Sequence, residues 1–127
     1  MAGYVGNIKE KAINNDYFRE VVYTGKYCQL VVMCLKPGEE IGSEVHKNVD
    51  QFFRVEKGRG KVIIDGEENI FIDGAGIIIP AGSEHNVINL STSNDLKLYT
   101  IYSPPQHKDD VIHKTKQDAI ADETDHL

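Results

Sequence analysis

Residues 74–89 read GAGIIIPAGSEHNVIN, and this stretch decides the fold. Three consecutive isoleucines are followed at once by a Pro-Ala-Gly turn, after which a second short strand begins. His85 and Val87 lie two residues apart in that second strand. Because alternate side chains of a strand project to the same face, the spacing predicts that His85 points into the core beside Val87.

A second stretch, residues 38–58, reads GEEIGSEVHKNVDQFFRVEKG. Glu44 and His46 are two residues apart, so in an extended chain both side chains project to one face and can share a ligand. Further along, Gln51 falls on the same face as Phe53 and one further apolar residue. This alternation predicts that Gln51 points inward.

Short apolar runs separated by Gly and Pro turns continue on both sides of these two stretches, and long helical periodicity is rare. An Asp65-Gly66 pair between two apolar runs predicts a tight hairpin, because these residues tolerate positive φ. The even spacing predicts an all-β sandwich or barrel. Strands are expected at residues 20–23, 29–35, 51–56, 60–64, 68–72, 77–79, 84–89 and 96–102.

The length of 127 residues fits one domain. We divide it into an N-terminal strand or arm at 1–28, a barrel at 29–105 and a charged tail at 106–127, which forms either a short helix over 118–122 or a disordered segment. Surface exposure is expected for His107 and His113 in this tail. The alternative is that the tail closes over the barrel mouth and brings one of these histidines near a substrate.

Charge and cysteine content restrict the function classes. The net charge of −6 argues against a nucleic-acid surface, which requires a basic patch. No apolar run approaches the length of about 18 residues that a membrane span requires. Cys28 and Cys34 are expected in one strand, about 20 Å apart if extended, which is too far for a disulfide. Free thiols and the absence of a leader pattern predict a cytoplasmic protein.

An interior that collects Glu44, His46, Gln51 and His85 would bury a carboxylate, and a buried charge must be paired or neutralised. A divalent metal ion solves this problem, since imidazole, carboxylate and amide oxygen are all metal ligands. Taken singly, each residue also has an ordinary structural explanation. The combination predicts a site for Fe, Mn, Zn or Ni.

The two stretches resemble the paired motifs of the cupin superfamily, G-x5-H-x-H-x4-E-x6-G and G-x5-P-x-G-x2-H-x3-N. The second motif is matched at every defined position, and fifteen residues separate the two. The first motif keeps its spacing, but Glu44 stands where the family usually has His, and Gln51 where it usually has Glu. The likeness to small single-domain, mannose-6-phosphate isomerase-like cupins implies a double-stranded β-helix (jelly-roll-like) barrel, usually dimeric, with a metal in its mouth.

The exchange of ligand types keeps one carboxylate in the site, which favours retained metal binding. The alternative is a hydrogen-bonded cluster in which Glu44 is protonated or paired with a protonated histidine. Two functions follow: a metal-dependent enzyme of isomerase, dioxygenase or lyase type acting on a small organic or sugar-like substrate, or a non-catalytic binding or sensor module. Tyr102 and His107 are candidates for contact with the substrate.

The resemblance also implies a homodimer. A strand around residues 21–23 precedes the first motif, where it could be an edge strand that pairs with a partner sheet.

Overall fold

The structure, a computed structural model, describes residues 2–122, 124 and 125. Within these residues the chain forms ten strands and two short helices. No helix in this described part is long and apolar enough to span a membrane. In chain order the elements are α1 (Ile8–Ile13), β1 (Arg19–Thr24), β2 (Gln29–Leu35), β3 (Glu44–Val45), β4 (Asp50–Lys57), β5 (Gly60–Ile64), β6 (Glu67–Phe71), β7 (Gly76–Ile79), β8 (Glu84–Asn89), β9 (Leu96–Ser103), β10 (Ile112–His113) and α2 (Lys116–Ala121).

The strands form two antiparallel sheets that enclose one core. The six-stranded sheet has the order β10-β1-β2-β9-β4-β7, and the four-stranded sheet has the order β3-β8-β5-β6. Apolar side chains from both inner faces meet in one buried cluster that includes Met33, Leu35, Phe53, Val55 and Leu98. The prediction of an all-β double-stranded β-helix is confirmed.

All eight predicted strands are present, each within one residue of the expected bounds at either end. The hairpin between β5 and β6 is also confirmed, because Ile64 pairs with Glu67 across a two-residue loop. Asp65 and Gly66 in that loop have φ of 48° and 84°. Both values are positive, as the tight hairpin turn requires.

Several expectations near the chain ends were wrong. The sequence did not predict α1, which begins after Asn7, whose side chain accepts a hydrogen bond from the Glu10 amide. Nor did it predict β10, which pairs with β1 opposite Arg19 and Glu20. This pairing covers only the first two residues of β1, and the predicted edge at residues 21–23 pairs with β2 alone among the described strands. Cys28 lies outside β2 and is exposed, whereas Cys34 is buried in that strand.

The charged tail is ordered onto the barrel over its described residues. Its helix α2 begins two residues earlier than expected, after Thr115, whose hydroxyl accepts a hydrogen bond from the Asp118 amide. The expected surface exposure of His107 and His113 is wrong, since these side chains are only 2 % and 4 % exposed. The reason is that each imidazole satisfies one ring nitrogen on an aspartate of the tail and the other on a barrel side chain, Tyr102 for His107 and Arg19 for His113.

Asn89, the last residue of the second motif, stabilises the backbone around it. Its amide nitrogen lies 2.9 to 3.1 Å from three backbone carbonyls, those of Leu35, Lys36 and Asn94, and its oxygen accepts from the Ser91 amide. The side chain therefore ties the ends of β2 and β8 to the following loop. Since buried backbone carbonyls need donors, this position depends on an amide side chain rather than on metal chemistry.

Gly60 provides a test of the β5–β8 pairing. A Cβ at this position would lie 2.6 Å from the backbone oxygen of Ile88 and would meet the Phe71 ring. We expect Gly60→Ala to lower the free energy of unfolding by about 1–3 kcal/mol, because a rigid backbone must move to relieve the overlap. Gly76→Ala is the matched control, since its Cβ would meet Phe52 at an ordinary 3.5 Å. Equal urea midpoints for the two variants would contradict this packing.

Candidate metal centre

Three potential ligand side chains converge at one end of the barrel. Glu44 in β3 pairs directly with His85 in β8, and His46 follows β3 by one residue. One ligand atom from each of the three lies within 4.8 Å of the others. Both imidazoles are buried, and the Glu44 side chain is 29 % exposed. The structure therefore brings together three of the four residues that the two motifs single out.

The contact between Glu44 and His46 has an unusual geometry. Glu44 Oε2 lies 2.9 Å from His46 Nε2, yet this buried nitrogen forms no aligned hydrogen bond with any described residue. Burial raises the pKa of the Glu44 carboxyl, but the contact with His46, followed by the charges of Arg19 and His85, lowers the pKa overall. The carboxylate is thus held in its ionised form. Two neighbouring ligand atoms that form no aligned hydrogen bond with each other can both bind one metal ion.

His85 is oriented by its own turn. Its Nδ1 lies 3.1 Å from the carbonyl oxygen of Ser83, which can only accept, so the Nδ1 proton donates and Nε2 of the neutral ring keeps its lone pair. The turn itself is fixed to the first motif, because Gly82 N donates to the His46 carbonyl and Ala81 N donates to Asp50 Oδ1. Asp50 therefore holds the turn and does not contact an imidazole nitrogen.

Gln51 lies on the inner face of β4 and is 3 % exposed. Its Nε2 donates to Thr100 Oγ1 at 3.0 Å, whereas the buried Oε1 accepts no hydrogen bond from the described residues. In the sheet register Gln51 pairs with Tyr102, whose ring packs 5.9 Å from the His46 ring, centroid to centroid. A buried carbonyl oxygen that accepts no hydrogen bond is costly unless something else binds it.

The donor set fits a divalent ion. It would consist of one carboxylate, two neutral imidazoles and one amide oxygen, from Glu44, His46, His85 and Gln51. Two of these groups, His46 Nε2 and Gln51 Oε1, are buried polar atoms that lack a hydrogen-bond partner among residues 2–122, 124 and 125. An ion bound by Glu44, His46 and His85 would satisfy His46 Nε2 and offset the charge of the half-buried Glu44 carboxylate.

A series of buried hydrogen bonds links Tyr102 to the tail. The Tyr102 hydroxyl lies 3.1 Å from His107 Nε2, and His107 Nδ1 lies 2.6 Å from Asp125 Oδ2. Burial raises the pKa of Tyr102, so the phenol stays protonated and can donate to His107. Burial also raises the pKa of Asp125, but the hydrogen bond from His107 and the charge of Arg19 lower it overall.

A second series of hydrogen bonds links Arg19 to the end of the helix α2. Arg19 Nη1 lies 3.2 Å from His113 Nδ1, and His113 Nε2 lies 3.0 Å from Asp122 Oδ2. The hydrogen bond from His113, assisted by Thr124, lowers the pKa of Asp122 to about 2. An arginine N–H can only donate, so His113 Nδ1 is the acceptor and its Nε2 carries the proton.

Two cavities meet at Glu44. One of about 330 Å³ lies between Glu44, Arg19 and α2, and the other, of about 410 Å³, lies beside His46 and Gln106. Tyr102 and His107 line neither cavity, so their contact with a substrate stays a prediction. Motif spacing could not find Arg19 or Gln106, because they reach the mouth only through the pairing and packing of the chain ends.

The pH dependence of stability tests the tail network. Because the pKa of Asp125 is lowered from 3.8, its contribution is fully present above that value and is lost as the pH falls through the lowered pKa. Asp125→Asn should therefore cost about 2 kcal/mol at neutral pH, as expected for a buried charged hydrogen bond, and much less in acid. Urea unfolding across a pH series measures this difference, with the exposed Asp118→Asn as control. A difference that stays constant with pH would refute this role.

The comparisons with known proteins identify the family of the fold. Residues 31–102 match the family described as "Cupin domain", and the chain belongs to the cupin family. It is 45 % identical over 127 residues to the uncharacterized protein YrkC of Bacillus subtilis (strain 168), covering 94 % of this chain and 67 % of that protein. An uncharacterized protein of Acanthamoeba polyphaga mimivirus is 44 % identical over 108 residues, covering 82 % of this chain and 67 % of that protein.

A solved structure is also similar. The crystal structure of BH2720 from Bacillus halodurans superposes with a TM-score of 0.91 at 41 % identity, and the match covers 94 % of each chain. The described strands and the arrangement of both sheets are thus shared with this solved structure.

Proposed function

We propose that this cupin is a metal-dependent enzyme that acts on a small organic or sugar-like substrate at the barrel mouth. Its divalent ion would be held by Glu44, His46, Gln51 and His85. The observation that carries the proposal is the convergence of ligand atoms from Glu44, His46 and His85 within 4.8 Å of one another. Two buried atoms, His46 Nε2 and Gln51 Oε1, form no aligned hydrogen bond with the described residues. A purely hydrogen-bonded cluster would pair His46 Nε2 with Glu44 Oε2 but would still leave the buried Gln51 Oε1 without a donor.

A divalent ion bound here would act as a Lewis acid on a carbonyl or hydroxyl oxygen of the substrate. The residues of the chain prepare the site for this chemistry. Ser83 fixes the ring of His85, and Thr100 fixes the amide of Gln51. Tyr102, hydrogen-bonded to His107, keeps a phenolic proton next to the His46 ring.

Metal content and turnover test this proposal together. We expect the purified protein to contain about one divalent ion per chain, and the reconstituted Fe, Mn, Zn or Ni form to be active in one of three screens: oxygen uptake, sugar isomerisation or decarboxylation. A chelator should abolish that activity. Failure to bind any of the four ions would refute the proposal, whereas binding without turnover would favour the non-catalytic module.

We further propose that the chain assembles as a homodimer through the outer face of the six-stranded sheet. In that face Phe52 pairs with both Ile78 and Ile101, and Ile101 pairs with Leu30, so apolar side chains form a row across four strands. Ile78 is 69 % exposed in the single chain. A second copy of the same row would cover this surface.

Light scattering tests the dimer directly. We expect a mass of twice 14.2 kDa at micromolar concentration, and a shift to the single-chain mass for Ile78→Asp. Ile72→Asp, a change at a similarly exposed isoleucine outside this row, should leave the dimer intact. A wild-type protein of single-chain mass would refute the proposal.

We also propose a division of the chain, a cellular location and a class of substrate. Residues 29–105 form the barrel, with 1–28 as an arm and 106–127 as a tail that closes over its mouth. The free cysteines Cys28 and Cys34 support a reducing, cytoplasmic location. The acidic net charge supports a small-molecule substrate rather than a nucleic acid.

A further inference from the structure

The cavity of about 330 Å³ at the barrel mouth has a polar and an apolar side. Phe18, Ile41 and Ile120 form an apolar wall, while Arg19 and Lys116 supply two cationic groups, and Glu44 of the ligand cluster lies at the same cavity. A volume of this size suits a small organic molecule. A molecule in this cavity can therefore contact Glu44 as well as the two cations.

Arg19 is only partly used by the protein. Its side chain is 7 % exposed, and Nη1 donates to His113 Nδ1, but its buried Nε has no hydrogen-bond partner among the described residues. The nearest carboxylate oxygen, Oδ2 of Asp125, lies 3.8 Å from Nη1 and is taken up by the shorter bond to His107. A buried guanidinium with an unused N–H has a donor left for an anion.

The charges around the cavity point to the same ligand class. In formal charges at pH 7, a divalent ion together with Arg19 and Lys116 exceeds the carboxylates of Glu44, Asp122 and Asp125 by one positive charge. At the rim, Lys116 forms no salt bridge with a described acidic residue. Asp122 is already bonded to His113 and Thr124. The site therefore lacks one negative charge.

We propose that the substrate is a small monocarboxylate with a second oxygen function. Its carboxylate would pair with Arg19 and, at longer range, with Lys116, and its hydroxyl or carbonyl oxygen would face the Glu44 side of the cavity. This inference rests on the proposed function. A monoanion matches the single missing charge, and the apolar wall accommodates a short hydrocarbon part. A phosphorylated sugar would bring more charge than the site balances.

The binding of lactate, lactamide and glycerol 3-phosphate to the manganese-loaded protein tests this specificity. Lactate and lactamide have nearly the same shape and differ in the carboxylate. We expect calorimetry to show lactate binding at least about tenfold more tightly than lactamide, as for a charged hydrogen bond in a buried site. Tighter binding of glycerol 3-phosphate than of lactate would overturn the proposal.

Substitutions distinguish the contribution of Arg19 to carboxylate binding from that of the metal ion. This control is needed because a metal ion alone also prefers a carboxylate. Arg19→Gln should still bind one manganese ion but lose the preference for lactate, and Arg19→Lys should regain part of it. Lys116→Gln, which leaves the core untouched, should weaken lactate binding two- to threefold, and the exposed Lys114→Gln should not. Circular dichroism and melting confirm that each variant is folded.

The outcomes distinguish this inference from the proposed function. Wild-type protein that binds no manganese refutes the proposed metal site itself. Manganese-loaded wild type that binds lactate and lactamide equally, or a folded Arg19→Gln variant that keeps the full preference, overturns the carboxylate assignment alone. If Arg19→Gln does not fold, the effect of Lys116→Gln and the wild-type preference decide the question.

Discussion

Replacing either buried histidine of the ligand cluster should nearly abolish metal binding. We expect His46→Ala and His85→Ala each to weaken Mn²⁺ or Zn²⁺ binding by more than about 100-fold, because loss of a residue that only orients a ligand already costs 10–100-fold. Each substitution removes one of two imidazoles and leaves the Glu44 carboxylate poorly compensated. Elemental analysis and competition with a fluorescent chelator measure the loss.

The control is His113→Gln, which removes another buried imidazole that lies outside the ligand cluster. This variant should keep its metal content, even if it is less stable. Unchanged metal content in both His46→Ala and His85→Ala would show that the metal ion does not bind at this site.

Acid should reduce the stability cost of His46→Ala in the metal-free protein. In the wild type the pKa of Glu44 lies below 4.5, so the stabilisation from its contact with His46 is present above that value and is lost as the pH falls through the lowered pKa. The variant lacks this contact. The difference in free energy of unfolding between the two proteins should therefore be largest at neutral pH and shrink in acid.

The sequence predicted the barrel well because its strands follow local rules. Alternation across β4 and β8 follows from burial of one face, and the Asp65-Gly66 hairpin follows from backbone preferences of two residues. The elements β10 and α1 were missed because they are short and depend on tertiary contacts: β10 is a strand of two residues that exists only against β1. Local patterns do not encode such a partner.

In the candidate site, too, some residues follow from local sequence patterns and others depend on tertiary contacts. The convergence of Glu44, His46 and His85 and the inward direction of Gln51 follow from parity within strands and from motif spacing, whereas Gln51 as a fourth ligand stays a prediction. The burial of His107 and His113 could not be predicted, because it depends on Asp125 and Asp122, which lie far along a charged tail. A histidine next to charged residues is usually solvated, and only the fold shows that these ones satisfy each other.

The exchange of ligand types between Glu44 and Gln51 offers a coupling test of the whole site. Glu44→His would surround the ion with three imidazoles and an amide, so the site would lose its one anionic ligand. We expect the affinity for Mn²⁺ to fall about tenfold or more, and the preference to shift towards ions that favour nitrogen. Adding Gln51→Glu restores one carboxylate at the position where cupins usually carry it.

The double variant should recover affinity beyond the sum of the two single effects, because ligands that share an ion are coupled, typically by about 0.5–3 kcal/mol. Titration of Mn²⁺ and Zn²⁺ into the chelated wild type, both single variants and the double variant measures this coupling. Glu84→His is the matched control, since Glu84 neighbours His85 but is exposed on the opposite face of β8. Single effects near zero that simply add would show that Glu44 does not bind the ion. The 2.9 Å contact with His46 would then be an ion pair and nothing more.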